Sequence, residues 1–263
     1  LAGAEFLDAE DAVVISVQAL EGCVRRRRAR ERGRGHRTHR QRAIEVDGGE
    51  RGGHAVDRES AHHDGAVGDA ADVLARPDAS VLAVLGAGNQ ALFECLAISR
   101  IRPITQILVV ARDEAKGRSF VEALQAEGLE AAQADAKDAC ERADIIVTAT
   151  PARAALFEAD WVRPGTHVAS MGSDAAGKQE LPPELFDRAA LFCDHPAQAV
   201  VMGDLQHFTG DRSRITAIGD VLLGRAEGRI SPDQITVFDS SGIALQDLTI
   251  ARSLITAWER ENA

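Results

Sequence analysis

Val81-Leu82-Ala83-Val84-Leu85-Gly86-Ala87-Gly88-Asn89-Gln90-Ala91 is the stretch that decides the fold. Five apolar residues, four of them valine or leucine, read as a buried strand, and the small residues after them lead into the helical pattern Gln90–Arg100. This places G-x-G-x-x-A between a strand and a helix. Gly86 permits a tight turn, Gly88 lets the backbone approach a pyrophosphate, and Ala91 lets the helix pack closely. Free N–H groups at Asn89, Gln90 and Ala91 attract the anion, so a dinucleotide site is expected here.

Reading outward, strands and helices alternate. Strands are expected at Gln106–Ala111, Leu129–Gln133, Asp144–Thr148, Thr166–Ser170, Ala190–Asp194 and Ile235–Phe238, with helices at Glu114–Ala126 and Asp135–Arg142. Such alternation means an α/β fold, a Rossmann-type doubly wound parallel sheet covered on both faces. A terminal helix is expected from about Ile243 to Glu259.

The second strand ends in Arg112-Asp113. Arg112 is suited to pairing with a 2′-phosphate, which favours NADP over NAD, whereas Asp113 stands one position late for a ribose hydroxyl and also reads as a helix cap. Thr148 and Thr150, after the fourth strand, sit where an open α/β sheet places its ligands; they are candidates for cofactor contact, and Thr-Pro is also ordinary turn chemistry. After the next strand the Gly-rich loop Met171–Leu181 carries one carboxylate, Asp174, at the same edge. An Asp in such a loop commonly serves as a turn residue.

Composition divides the chain. Residues Val24–Asp69 hold twelve Arg, eight Gly, five of the eight His and eight acids, giving +4 within a chain whose net charge is −11. That stretch has no Leu, Phe, Trp, Met or Pro, so it cannot bury enough surface to offset chain entropy and is expected to be poorly ordered. A helix over Asp8–Val24 precedes it. The acidic balance argues against nucleic acid as partner. So does the lack of any aromatic residue between Phe6 and Phe93, which leaves the Arg25–Arg42 run nothing to stack on bases. Cys23, Cys95, Cys140 and Cys193 stand far apart, without metal-ligand spacing, and fit a reduced, cytoplasmic protein. His195 and His207 lack ligand partners, so no metal is expected. No apolar run reaches a membrane-spanning length. The chain begins at Leu1 rather than Met, as a trimmed or partial reading frame would.

Three stretches, Gly86–Ala91, Met171-Gly-Ser-Asp-Ala-Ala-Gly-Lys-Gln-Glu-Leu181 and Val237-Phe-Asp-Ser-Ser-Gly-Ile-Ala-Leu-Gln-Asp247, together resemble the ornithine cyclodeaminase/mu-crystallin family from about Ala71 onward. The resemblance implies a Rossmann domain at 73–242 and a second domain, from 1–72 with helix 243–263, that binds substrate and forms a homodimer. It implies NAD or NADP as cofactor, a small amino or imino acid as substrate, and Asp174 as the acid/base. The chemistry would be ornithine cyclodeamination, amino-acid dehydrogenation or cyclic imine reduction.

The N-terminal half departs from the family pattern. The Arg and Lys that hold the substrate carboxylate, and a Thr-x-x-Arg-Thr-Ala-like stretch just before Ala71, have no counterpart in Glu59–Asp69, so this second domain reads as incomplete or aberrant. Written in GC-rich codons and read one base on, Ala61–Gly68 gives Arg-Ile-Thr-Thr-Ala-Arg-Ser-Ala, close to the missing stretch, as a frame error would. The competing reading is a non-catalytic NAD(P)-binding remnant or mu-crystallin-like binding protein.

Overall fold

The computed structural model describes residues 66–242 and, further on, Leu248, Ala251, Arg252, Ile255, Thr256, Trp258 and Glu259, which are helical. The expected Asp8–Val24 helix and almost all of segments 1–72 and 24–69 lie outside the described residues. Of the segment expected to be poorly ordered, 66–69 are described and are helical. Residues Asp64–Leu248 form one compact unit.

The described elements run α1 (Ala66–Leu74), β1 (Val81–Leu85), α2 (Asn89–Ile101), β2 (Gln106–Val110), α3 (Glu114–Ala126), β3 (Ala131–Gln133), α4 (Ala136–Arg142), β4 (Ile145–Thr148), β5 (His167–Ser170), α5 (Glu184–Arg188), β6 (Ala189–Cys193), α6 (Pro196–Met202), β7 (Ile215–Ala217), α7 (Ile218–Leu222) and β8 (Ile235–Asp239). Every strand pairs in parallel, in the order β3-β2-β1-β4-β5-β8-β6-β7. The α/β, doubly wound sheet expected from the alternation is therefore present. The last strand inserts between β5 and β6, and a short strand, β7, was not foreseen.

Two apolar layers flank the sheet. On one face Ala91, Cys95 and Ile98 of α2 and Phe120 and Leu124 of α3 pack with Val67, Ala70 and Leu74 of α1 over Leu82, Val84, Ile107 and Val109. On the other, Ala139 and Cys140 of α4 and Leu185 and Phe186 of α5 cover Ala83, Leu85, Ile146 and Val237. Alternate residues of each strand thus serve opposite layers, as a two-sided parallel sheet demands. Burial raises the pKa of the Cys95 and Cys193 thiols and lifts that of Cys140 to about 12, so these three behave as apolar core groups.

Local signals set the helix starts. Asp113 caps α3, its Oδ1 accepting the amides of Ala115 and Lys116, both at 3.0 Å. Asp135 caps α4 by accepting from Asp138 N at 2.9 Å. At the C-terminal ends of α1 and α2, Arg102 pairs with Asp72 at 3.0 Å and donates to the Ala71 carbonyl at 2.9 Å. Among the described residues no helix is long and apolar enough to cross a membrane.

Candidate functional site

The parallel register lines up the strand tips Val110, Leu85, Thr148, Ser170, Asp239 and Cys193 in one row. Every loop singled out from the sequence springs from this C-terminal edge. Between β1 and β4 the crossovers depart in opposite directions, and at such a switch point a doubly wound sheet opens a crevice for ligands.

Gly86 lies at the switch point with φ +129°, and a Cβ there would stand 2.5 Å from the Ala149 carbonyl oxygen, so only glycine lets the two loops meet. A Cβ on Gly88 would meet nothing within 4 Å. The backbone there faces open space. Gly88 is also the N-cap of α2 and offers its first turn no side-chain cap, leaving the amides of Asn89, Gln90 and Ala91 for an anion. Beside them a groove of 380 Å³ runs between the starts of α2 and α3, lined by Ala87, Gly88, Asn89, Lys116, Ser119 and Phe120. Lys116 was missed in the sequence, because a lysine in the first turn of an exposed helix carries no local mark of a groove. A larger hollow of 630 Å³ around Ala155–Trp161 bears Glu158, Asp160 and Glu184 and no cation, so it is ill suited to phosphate. The open backbone at Gly88, the uncapped helix start and the nearby lysine fit a pyrophosphate.

Arg112 is exposed and, among the described residues, makes no hydrogen bond or ion pair, so its guanidinium can reach a ligand. Asp113 is a helix cap, and its amide donors, those of Lys116 first, hold its carboxyl below the usual range.

Thr148 and Thr150 hold a carboxylate of the neighbouring loop. Thr148 is fully buried and donates from Oγ1 to Glu180 Oε2 at 2.8 Å. Thr150 donates to Glu180 Oε1 from both its amide, at 2.6 Å, and its hydroxyl, at 2.7 Å. Both hydroxyl protons are given to the Glu180 carboxylate. Glu180 also accepts the Gly172 amide at 2.6 Å, and a Cβ on Gly172 would collide with Thr150 O at 2.0 Å. The loops after β4 and β5 are thereby clamped together.

Asp174 rides on the second of these loops. Its side chain is 60% exposed and pairs with Lys178, Nζ to Oδ1 at 2.5 Å, while Lys178 also donates to Gly172 O at 3.2 Å. The loop reaches the glycine-rich turn through Met171, whose Sδ accepts from Gln90 Nε2 at 3.8 Å. The structure therefore brings Asp174 and the Gly86–Ala91 turn to the same edge.

Gln90 also donates to Glu94 at 2.9 Å. Glu94 is buried, its Oε2 has no hydrogen-bond partner among the described residues, and burial pushes its pKa up to about 7, opposed by the Gln90 hydrogen bond. Nothing in the sequence marks Glu94, since a Glu inside a helix normally reads as solvated.

Comparison with known proteins agrees with this geometry. A model of the ornithine cyclodeaminase/mu-crystallin family matches residues 59–262. The alanine dehydrogenase of Archaeoglobus fulgidus is 35% identical over 190 residues, 70% of this chain and 59% of that protein. The chain spans about 60% of the length of such curated relatives. Among solved structures, an archaeal alanine dehydrogenase dimer with bound NAD superposes with TM-score 0.73 at 33% identity, covering 78% of this chain and 66% of that one. The Thermococcus litoralis Δ1-pyrroline-2-carboxylate reductase, in complex with NADH and L-proline, gives 0.71 at 28% identity, covering 74% and 64%.

Proposed function

The chain belongs to the ornithine cyclodeaminase/mu-crystallin family, and from that premise we propose that it is an NAD(P)-dependent enzyme acting on a small amino or imino acid, with Asp174 as its acid/base. The observation that carries this reading is the convergence of an open glycine-rich helix start and a loop carboxylate on one sheet edge, joined through Gln90 and Met171. The use of a nicotinamide dinucleotide is shared with the solved relatives, whose bound cofactors are NAD and NADH.

Gly86, Gly88, Asn89, Gln90 and Ala91 hold the pyrophosphate, and exposed Arg112 takes a 2′-phosphate where the cofactor is NADP. When bound, the nicotinamide ring supplies hydride exchange with the substrate carbon. The task left to the chain is proton movement. Lys178 fixes Asp174 through Oδ1, which leaves Oδ2 to take a proton from, or return one to, the nitrogen on the reacting carbon. By the same family relation the assembled protein is a homodimer.

Initial rates test this. With L-alanine, NAD(P)H should form; with L-ornithine, cyclodeamination should release ammonia with no net NAD(P)H, because the hydride is returned to the cyclic imine; with Δ1-pyrroline-2-carboxylate, NAD(P)H should be consumed. Cofactor binding without turnover of any amino or imino acid would instead identify a binding protein.

A further inference from the structure

We infer that Glu180 is a positioning residue for the Asp174 loop, itself held by Asp204 and Asp239 in a ladder of buried carboxylates running from the tip of β8. This rests on the enzymatic reading above for its effect on turnover. The ladder has three similar rungs. Asp239, the last residue of β8, accepts the amides of Asp204 at 3.0 Å and Leu205 at 2.9 Å. Asp204 accepts the amides of Glu180 at 2.8 Å and Leu181 at 3.0 Å. Glu180 accepts those of Thr150 and Gly172, both at 2.6 Å. Asp239 and Asp204 each fix two adjacent backbone N–H groups of the next segment, and Glu180 fixes one amide of the loop after β4 and one at the base of the loop that carries Asp174.

All three side chains are fully buried, and among the described residues none is in an ion pair with a lysine or arginine. Burying acids is costly, and amides can be satisfied by neutral acceptors. What the acids add is short, charge-assisted bonds that fix geometry. Ser170 joins two rungs, its single hydroxyl facing both Asp204 and Glu180. The segment that carries Asp204 grips the loop at further points. Gln206 accepts the Gly177 amide at 2.8 Å and donates to the carbonyls of Ala175 at 3.3 Å and Lys178 at 3.2 Å. Between Gly172 and Glu180 there is no helix or strand of the sheet to hold Asp174 in place. The ladder and Gln206 hold the loop together with the Gln179 amide, which donates to Ala152 O at 3.2 Å, and His207, whose Nε2 meets Lys178 O at 2.8 Å.

Glu180→Gln keeps the shape and one acceptor but turns an amide donor against donors on the other side. A misplaced acid/base costs rate and not cofactor affinity, so kcat should fall by about 10²-fold with the cofactor Kd within about threefold. Gln206→Ala, at a half-buried site that leaves the acids intact, should lower kcat by roughly tenfold. Amide hydrogen exchange gives a readout independent of turnover: in Glu180→Gln the Gly172 and Thr150 amides should exchange faster, while those of β1 do not change. Unaltered kcat in both variants, or a lower unfolding temperature with kcat per folded molecule unaltered, overturns the positioning role. If the wild-type chain binds cofactor but turns over no substrate, the enzymatic reading fails, and exchange still decides the ladder. Faster exchange at Gly172 supports it and wild-type exchange overturns it.

Discussion

At the N-terminal edge of the sheet Asp144 accepts the amides of Ser80 and Val81, at 2.9 and 3.1 Å, and pairs with Arg76 at 2.6 Å. At the C-terminal edge Glu180, Asp204 and Asp239 accept backbone amides and, among the described residues, form no ion pair with arginine or lysine. The same side-chain chemistry ends in opposite states. Burial alone would raise Asp144, but the two amides and the guanidinium outweigh it and hold its carboxyl below the ordinary range. Burial raises the other three; repulsion from Asp204 adds to it for Glu180, repulsion from Asp204 and Asp194 adds to it for Asp239, and for Asp204 its hydrogen bonds and nearby His207 oppose it. One edge uses a paired charge to close the bottom of the fold, whereas the other carries uncompensated acids that hold loops in place. Stability and function are thereby divided between the two ends of the strands.

Breaking the N-terminal edge should have the largest effect on folding. Asp144→Ala leaves two amides without their acceptor and Arg76 with only exposed Asp78, and should cost about 2 to 3 kcal/mol, less than a fully buried pair because Arg76 is partly exposed. Urea unfolding measures the loss, and cofactor affinity should stay the same. Since the folded-state pKa of Asp144 lies below its unfolded value of 3.8, the contribution is complete above that value. It disappears as pH falls through the lowered pKa.

Glu94 sharpens the contrast with the opposite sign. Its folded pKa of about 7 exceeds the ordinary 4.5, so the folded chain binds the extra proton and stability falls as pH rises between those values. Glu94→Gln should stabilise the protein at pH 8 by on the order of 1 to 3 kcal/mol. The gain should shrink to nothing near pH 4.5, and a gain independent of pH would contradict the assignment.

The smallest effect is expected at Asp113. Asp113→Ala should lower the unfolding temperature, and Asp113→Asn, which caps a helix as well, should restore it. A change of NAD(P) affinity in Asp113→Asn would add a ribose contact to the capping role.

Much of this comparison was legible in the sequence, and the reasons for the remainder are physical. Alternating apolar runs located β1, β2, β4, β5, β6 and β8 to within a residue or two, because each is buried on both faces and has no polar side to blur the signal. Glycines marked the turn at Gly86. The insertion of β8 between β5 and β6 was not legible, since strand order depends on pairing between residues far apart in the chain, and Ile215–Ala217 is too short to show a period. Asp174 emerged from family resemblance and lies on the expected edge. The ladder stayed hidden. Glu180 reads as a surface acid inside a polar loop, and Asp239 reads as a local cap, whereas it caps a turn 35 residues away in sequence.

The central claim is that the Asp174 carboxyl moves the proton while the glycine-rich edge holds the cofactor. Turnover by Asp174→Asn, measured beside a titration of NAD(H) and NADP(H), tests it most directly. The account predicts kcat lowered by about 10² to 10⁴-fold with cofactor affinity unchanged, and wild-type turnover in that variant would contradict it.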